Sequence, residues 1–149
     1  PLSLVTSRVR LRPLTVEDAQ KDYDAVMSSV EHLQAVMRGG DWPAGLTLKK
    51  NISELGWHET EFELRTSFAY TVLALDESEI LGCVYFYPAR KRDYDVQVWM
   101  WVRESTLAEG LDDHLYTAVK EWLKRFWPFE RPAYPRREIL LERWTKLPT

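Results

Sequence analysis

The chain opens on alternation. In "SRVRLRPL" (7–14), Val9 and Leu11 fall on one side and Arg8, Arg10 and Arg12 on the other, the period of a half-buried strand that Pro13 ends. Thr15 then occupies an N-cap position with Asp18 three residues on, and Ala19, Tyr23, Val26 and Val30 follow at helical spacing, which predicts a helix over about 15–30. "MRGGDWPAGL" (37–46) gathers glycine and proline around Trp42 and reads as a loop carrying one large aromatic. Leu48, Ile52, Leu55 and Phe62 predict a second helix at about 46–65, with Gly56 as a weak point costing up to ~1 kcal/mol relative to alanine. Three runs rich in β-branched and aromatic residues, 67–75, 80–88 and 93–102, are separated by "DESE" and "ARKR" and predict three antiparallel strands. Leu107, Leu111, Leu115, Val119, Trp122, Leu123 and Phe126 then form one stripe, predicting a long helix over 106–126. "WPFERPAYP" permits only a short edge strand, and "RREILLERWTKL" predicts a small helix packed by Ile139, Leu140 and Trp144.

Composition narrows this picture. A chain of 149 residues suits one domain, 1–149, able to hide roughly 70% of its unfolded surface. An apolar fraction of 45% with seven tryptophans describes a folded globule. A net charge of −3, with "ARKR" (89–92) the only dense basic cluster, argues against a nucleic-acid partner. The single cysteine, Cys83, allows neither an internal disulfide nor a thiolate metal site, so a reducing, cytoplasmic setting is expected. No segment approaches the ~20 apolar residues of a membrane span, and no membrane partner is expected.

The element order, with "LRPLTVEDA" (11–19), Gly82 in the second strand of the trio and "VWMWVRES" (98–105), resembles the GNAT superfamily of N-acetyltransferases over about 1–126. The resemblance implies an α/β (α+β) fold, a mixed, mainly antiparallel sheet flanked by helices, here shortened at the C-terminus. It also implies acyl transfer from acetyl-CoA to a small-molecule or peptide amine. In that family a loop of pattern Q/R-x-x-G-x-G/A opens a helix whose first amides hold the pyrophosphate. Its six positions fall on Leu107, Ala108, Glu109, Gly110, Leu111 and Asp112, and only Gly110 matches. Cofactor contacts would come from Trp101, Val102, Arg103, Gly110 and Leu111. The family's usual glutamate base falls on Gln97, whose amide is no base near neutral pH.

The acids at this loop have two readings. A carboxylate ~5 Å from a pyrophosphate charge is repelled by roughly 3 kcal/mol at an effective dielectric near 20, which puts acetyl-CoA binding in doubt. Alternatively Thr106 caps the helix, Glu109 completes a capping box, and Asp112 and Asp113 complement the helix dipole. A metal site from Glu109, Asp112, Asp113 and His114 is disfavoured, because at most two of them share a helix face. For chemistry, His58 and Asp95 are the candidate bases. Trp42, Tyr70, Tyr85, Gln97 and Trp99 are candidates to line an acceptor pocket, the aromatics alternatively covering a homodimer surface. The resulting expectation is an acetyltransferase-like protein of unknown acceptor, or a non-catalytic binding module of the same fold that no longer takes acetyl-CoA.

Overall fold

The computed structural model describes residues 1–149. Its elements are β1 (Leu4–Val5), β2 (Val9–Pro13), a 3-10 turn (Val16–Asp18), α1 (Ala19–Met27), α2 (Val30–Val36), α3 (Leu48–Glu63), β3 (Phe68–Ala74), β4 (Ile80–Lys91), β5 (Tyr94–Val102), a 3-10 turn (Glu104–Glu109), α4 (Leu111–Phe126), β6 (Pro132–Ala133) and α5 (Leu141–Lys146). The six strands lie in the sheet in chain order. All neighbours are antiparallel except β5 and β6, which run parallel. No helix is long and apolar enough to cross a membrane.

Both faces of the central strands β3, β4 and β5 are covered, so these read as nearly continuous apolar runs, whereas β2 keeps its arginines on one side. On one face Ala69, Cys83, Tyr85, Trp99 and Trp101 meet α1, α2 and α3 through Ala25, Val26, Leu33 and Leu55. On the other, Tyr70, Val84, Phe86, Val98 and Met100 meet α4 through Leu115, Val119, Trp122 and Leu123. The stripe expected on the long helix is its sheet-facing side from Leu111 to Leu123, while Leu107, which precedes α4, and Phe126 at its end are exposed.

Two predicted helices are interrupted. The one expected over 15–30 ends at Met27, where the Ser28 hydroxyl turns back to the Ala25 carbonyl and Ser29 leaves helical geometry at φ −138. The one expected from 106 begins at Leu111, because Gly110 takes a left-handed conformation at φ 74. Thr106 does not cap it: its hydroxyl donates to the Arg103 carbonyl within the preceding turn. At the first helix Thr15 and Asp18 form the expected box, Asp18 accepting from the Thr15 amide at 3.0 Å while Arg12 pairs with the same carboxylate at 2.8 Å. Of the residues expected to pack the last helix, Trp144 is buried while Leu140 is 70% exposed.

Candidate functional site

A cavity of about 210 Å³ opens between α3 and the sheet. Successive turns of α3 turn Asn51, Glu54, Leu55 and His58 toward it, while α1 supplies Asp22. Tyr85 and Tyr87, two apart on β4, point to the same side, and the loop after α2 brings Arg38 and Trp42 over the mouth. The two tyrosine rings stack at 5.9 Å, and the His58 ring lies 5.3 Å from Tyr85 and 6.5 Å from Tyr87. Trp42, His58 and Tyr85, singled out in the sequence, thus share one cavity.

Burial sets its electrostatics. Asp22 is 3% exposed, and that desolvation pushes its carboxyl up to about 6 although Asn51 Nδ2 (2.9 Å) and Cys83 Sγ (3.4 Å) both donate to it. Glu54 is also raised by burial, against the Trp42 indole N–H that favours its ionised form. Burial lowers His58, opposed by the Glu61 carboxylate, so its imidazole is neutral at pH 7. His58 Nδ1 is buried with no hydrogen-bond partner. Asp22 was not expected from sequence, yet its spacing three residues from both Ala19 and Ala25 sets an acid on the buried stripe of α1.

An acid whose folded pKa is raised stabilises the fold only while protonated. Its contribution is complete below about 4 and is lost as pH rises through about 6. Denaturant titrations of the natural protein and Asp22→Asn should therefore diverge over that window, the variant gaining up to ~3 kcal/mol relative to the natural protein by pH 7. Parallel curves would show that Asp22 ionises without penalty.

The other candidates lie elsewhere. Tyr70 is on the opposite face of the sheet, edge-on to Trp122 at 5.0 Å, because it pairs with Val84 while the preceding residue, Ala69, pairs with Tyr85 and shares its face. Asp95 is a loop staple, accepting from the Glu130 and Arg131 amides at 2.8 and 3.0 Å. The Gln97 amide bridges the Pro88 carbonyl and the Trp99 indole, and both residues lie beyond the cavity's lining. Trp101 is wholly buried and donates to the Tyr85 hydroxyl at 3.2 Å. Val102 pairs with Gly82, and the Arg103 guanidinium is held by the Ile80 carbonyl at 2.6 Å.

The acidic loop is organised by a residue far along the chain. β5 and β6 pair only at Val96–Pro132 and Gln97–Ala133, and from there the chain runs over β5 toward α4. Arg137 on this segment donates to both Asp112 oxygens, at 2.7 and 2.9 Å, and to the Met100 carbonyl of β5 at 3.1 Å. The pair is mostly shielded, with side-chain exposures of 14% for Arg137 and 25% for Asp112. Tyr116 and Lys120 of α4 both donate to Glu138, fastening the same segment. Glu109 and Asp113 are exposed, and His114 instead meets Thr6 at 2.8 Å, so the four residues considered for a metal do not converge.

No protein-family model matches the chain, and no curated protein matches it in sequence. Solved structures do match. Ribosomal-protein-S5-alanine acetyltransferase from Vibrio fischeri superposes with a TM-score of 0.71 at 15% identity, over 90% of this chain and 73% of that one. The Salmonella typhimurium acetyltransferase that modifies the N-terminal serine of 50S ribosomal subunit protein L7/L12 does so with a TM-score of 0.62 at 14% identity, over 83% and 68%. Microcin C7 self immunity acetyltransferase MccE, in complex with acetyl-CoA and AMP, gives 0.64 at 12%, over 81% and 66%. The chain has the GNAT fold. The sequence resemblance assigns acetyl-CoA to Trp101, Val102 and Arg103 at the end of β5 and to Gly110 and Leu111 at the helix start. Beside these positions Arg137 donates to the Met100 carbonyl, and Asp112, where the loop pattern has a small residue, is a carboxylate paired with Arg137. At Asp112 the side chain present does not match the loop pattern for the cofactor.

Proposed function

We propose that the protein binds an amine in the cavity between α3 and β4, as a GNAT-fold binding module whose cofactor cleft is closed by its own Arg137–Asp112 pair. The carrying observation is the cavity lining. Two carboxyls, Asp22 and Glu54, lie among the rings of Trp42, Tyr85 and Tyr87, a combination that attracts an ammonium group through charge and through the faces of the rings. The two ribosomal-protein acetyltransferases of the same fold support a peptide amine as well as a small molecule, one being described as acting on an N-terminal serine.

A cation beside Asp22 favours its ionised form, so binding should tighten as the carboxyl ionises. Calorimetry with n-butylamine and an uncharged-side-chain tripeptide amide is expected to show affinity rising about tenfold from pH 5 to pH 7 for a group near 6. Trp42→Ala should weaken it by a similar factor. A pH-independent affinity, or none at all in the natural protein, rules the amine reading out.

Acyl transfer to the bound amine is the second reading, favoured by His58, a neutral imidazole on the cavity wall with one nitrogen free to accept the amine's proton. It requires the Arg137–Asp112 pair to part. Turnover of acetyl-CoA that depends on His58 would establish it over the binding module.

A further inference from the structure

The amine cavity does not end at Tyr87. Arg38 and Tyr87 also line a second, wider groove of about 620 Å³, whose other walls are Arg65, Arg90, Glu61 and Gln97. Three arginines and one carboxylate therefore line the groove, and that carboxylate is already engaged, accepting from the Ser67 hydroxyl at 3.0 Å. None of the three arginines forms an ion pair, whereas Arg12, Arg125 and Arg137 do. Arg38 lies over the Tyr87 ring at 5.1 Å and Arg65 over the Phe68 ring at the same distance, contacts that orient each planar group without neutralising it. Arg65 and Arg90 are held with φ of 64 and 53, a left-handed conformation that costs a side-chain-bearing residue free energy and fixes where each arginine leaves the backbone.

The charge therefore reverses along one continuous surface. The inner cavity carries Asp22 and Glu54, the outer groove carries Arg38, Arg65 and Arg90, and Arg38 with Tyr87 stands at the junction. We propose that the ligand is an amine bearing an anionic group, a carboxylate or phosphate seated among the three arginines while the amine enters the inner cavity. Guanidinium groups bind either anion through paired N–H donors, so the shared chemistry is an oxyanion a short distance from an amine. This rests on the amine reading of the inner cavity and adds the determinant of specificity to it.

Calorimetry at low salt with three tripeptide amides tests it: Ala-Glu-Glu for carboxylates, Ala-phosphoserine-Gly for phosphate, and Ala-Gln-Gln for the amine alone. At least one acidic peptide should bind about tenfold more tightly than Ala-Gln-Gln, and the stronger of the two identifies the oxyanion. The preference should shrink as salt rises to about 1 M, where screening is effective beyond ~3 Å. Arg65→Gln with Arg90→Gln, both exposed and outside the inner cavity, should abolish the preference while leaving n-butylamine binding and the melting temperature unchanged. Equal affinity for the three peptides, or a preference that survives the double variant, overturns the groove's role. Loss of n-butylamine and Ala-Gln-Gln binding in the natural protein is a different result and defeats the amine reading itself.

Discussion

Acetyl-CoA titrated into the natural protein at low salt is expected to give no saturable heat below about 1 mM, and Leu107→Arg with Asp112→Gly is expected to bring the dissociation constant below about 100 µM. The sequence shows the loop departing from the family pattern at Leu107 and Asp112; the structure shows why one change has an effect beyond its own site. Asp112 anchors Arg137, and Arg137 covers the Met100 carbonyl. Removing the carboxylate removes a repulsion of roughly 3 kcal/mol at ~5 Å and also frees a cation beside the helix start. The Leu107→Arg change supplies a second one. Arg137→Gln alone is the informative contrast, since it leaves Asp112 charged without a partner and should give no gain. Tight binding to the natural protein would show that the pair opens readily; no gain in the double variant would place the obstruction in the Tyr134–Leu140 segment as a whole.

Gly82→Ala is expected to destabilise the fold by about 3 kcal/mol or more, with little soluble protein recovered. The reason is space rather than backbone freedom. Gly82 sits at the centre of the sheet, paired with Val102 on one side and Val72 on the other, beside the register shift between Val72 and Leu73. A Cβ there would be driven into the Trp101 carbonyl oxygen, which is backbone and cannot turn aside. Separating β4 from β5 to admit it would disturb the pairing that positions Tyr85, Tyr87 and Trp101, so any folded fraction should also lose amine affinity. Gly110 provides the comparison: no atom lies within 4 Å of its added Cβ, and only its φ of 74 resists substitution. Gly110→Asn should be close to neutral, because asparagine tolerates the left-handed region. Equal melting temperatures for Gly82→Ala and the natural protein would contradict the geometry of the β4–β5 pair.

The strands were legible because β-branched and aromatic runs bounded by charged turns have few alternatives: 67–75, 80–88 and 93–102 became Phe68–Ala74, Ile80–Lys91 and Tyr94–Val102. The helix ends were less so. Ser28 and Ser29 break a pattern whose apolar spacing runs on to Val30, and Gly110 interrupts a stripe that begins at Leu107, both local backbone events that a periodicity averages over. Which strand residues share a face depends on register. Tyr70 and Tyr85 are equally aromatic, but pairing of Ala69 with Tyr85 sends Tyr70 to the α4 side. The two-residue β1 is too short to carry alternation at all. Trp42 and His58 stand out singly in the sequence, as a loop aromatic and a helical histidine, and the fold brings both to one cavity. Asp112 departs visibly from the loop pattern, but its partner Arg137 lies 25 residues away in the stretch the sequence assigns to a small helix, and only the fold brings them together. The sequence could suggest repulsion of a phosphate; it could not show that the protein had already supplied the counter-charge.

The central claim is that the inner cavity is open to an amine while the place for acetyl-CoA is closed. Amide and indole chemical-shift mapping with two ligands on one labelled sample tests it directly. With n-butylamine the account predicts saturable shifts at Trp42, His58 and Tyr87. With acetyl-CoA at the same submillimolar concentrations, it predicts none at Met100 or Leu111–His114. Saturable acetyl-CoA shifts at Met100 and Asp112, with an unresponsive Trp42 in the amine titration, would contradict it.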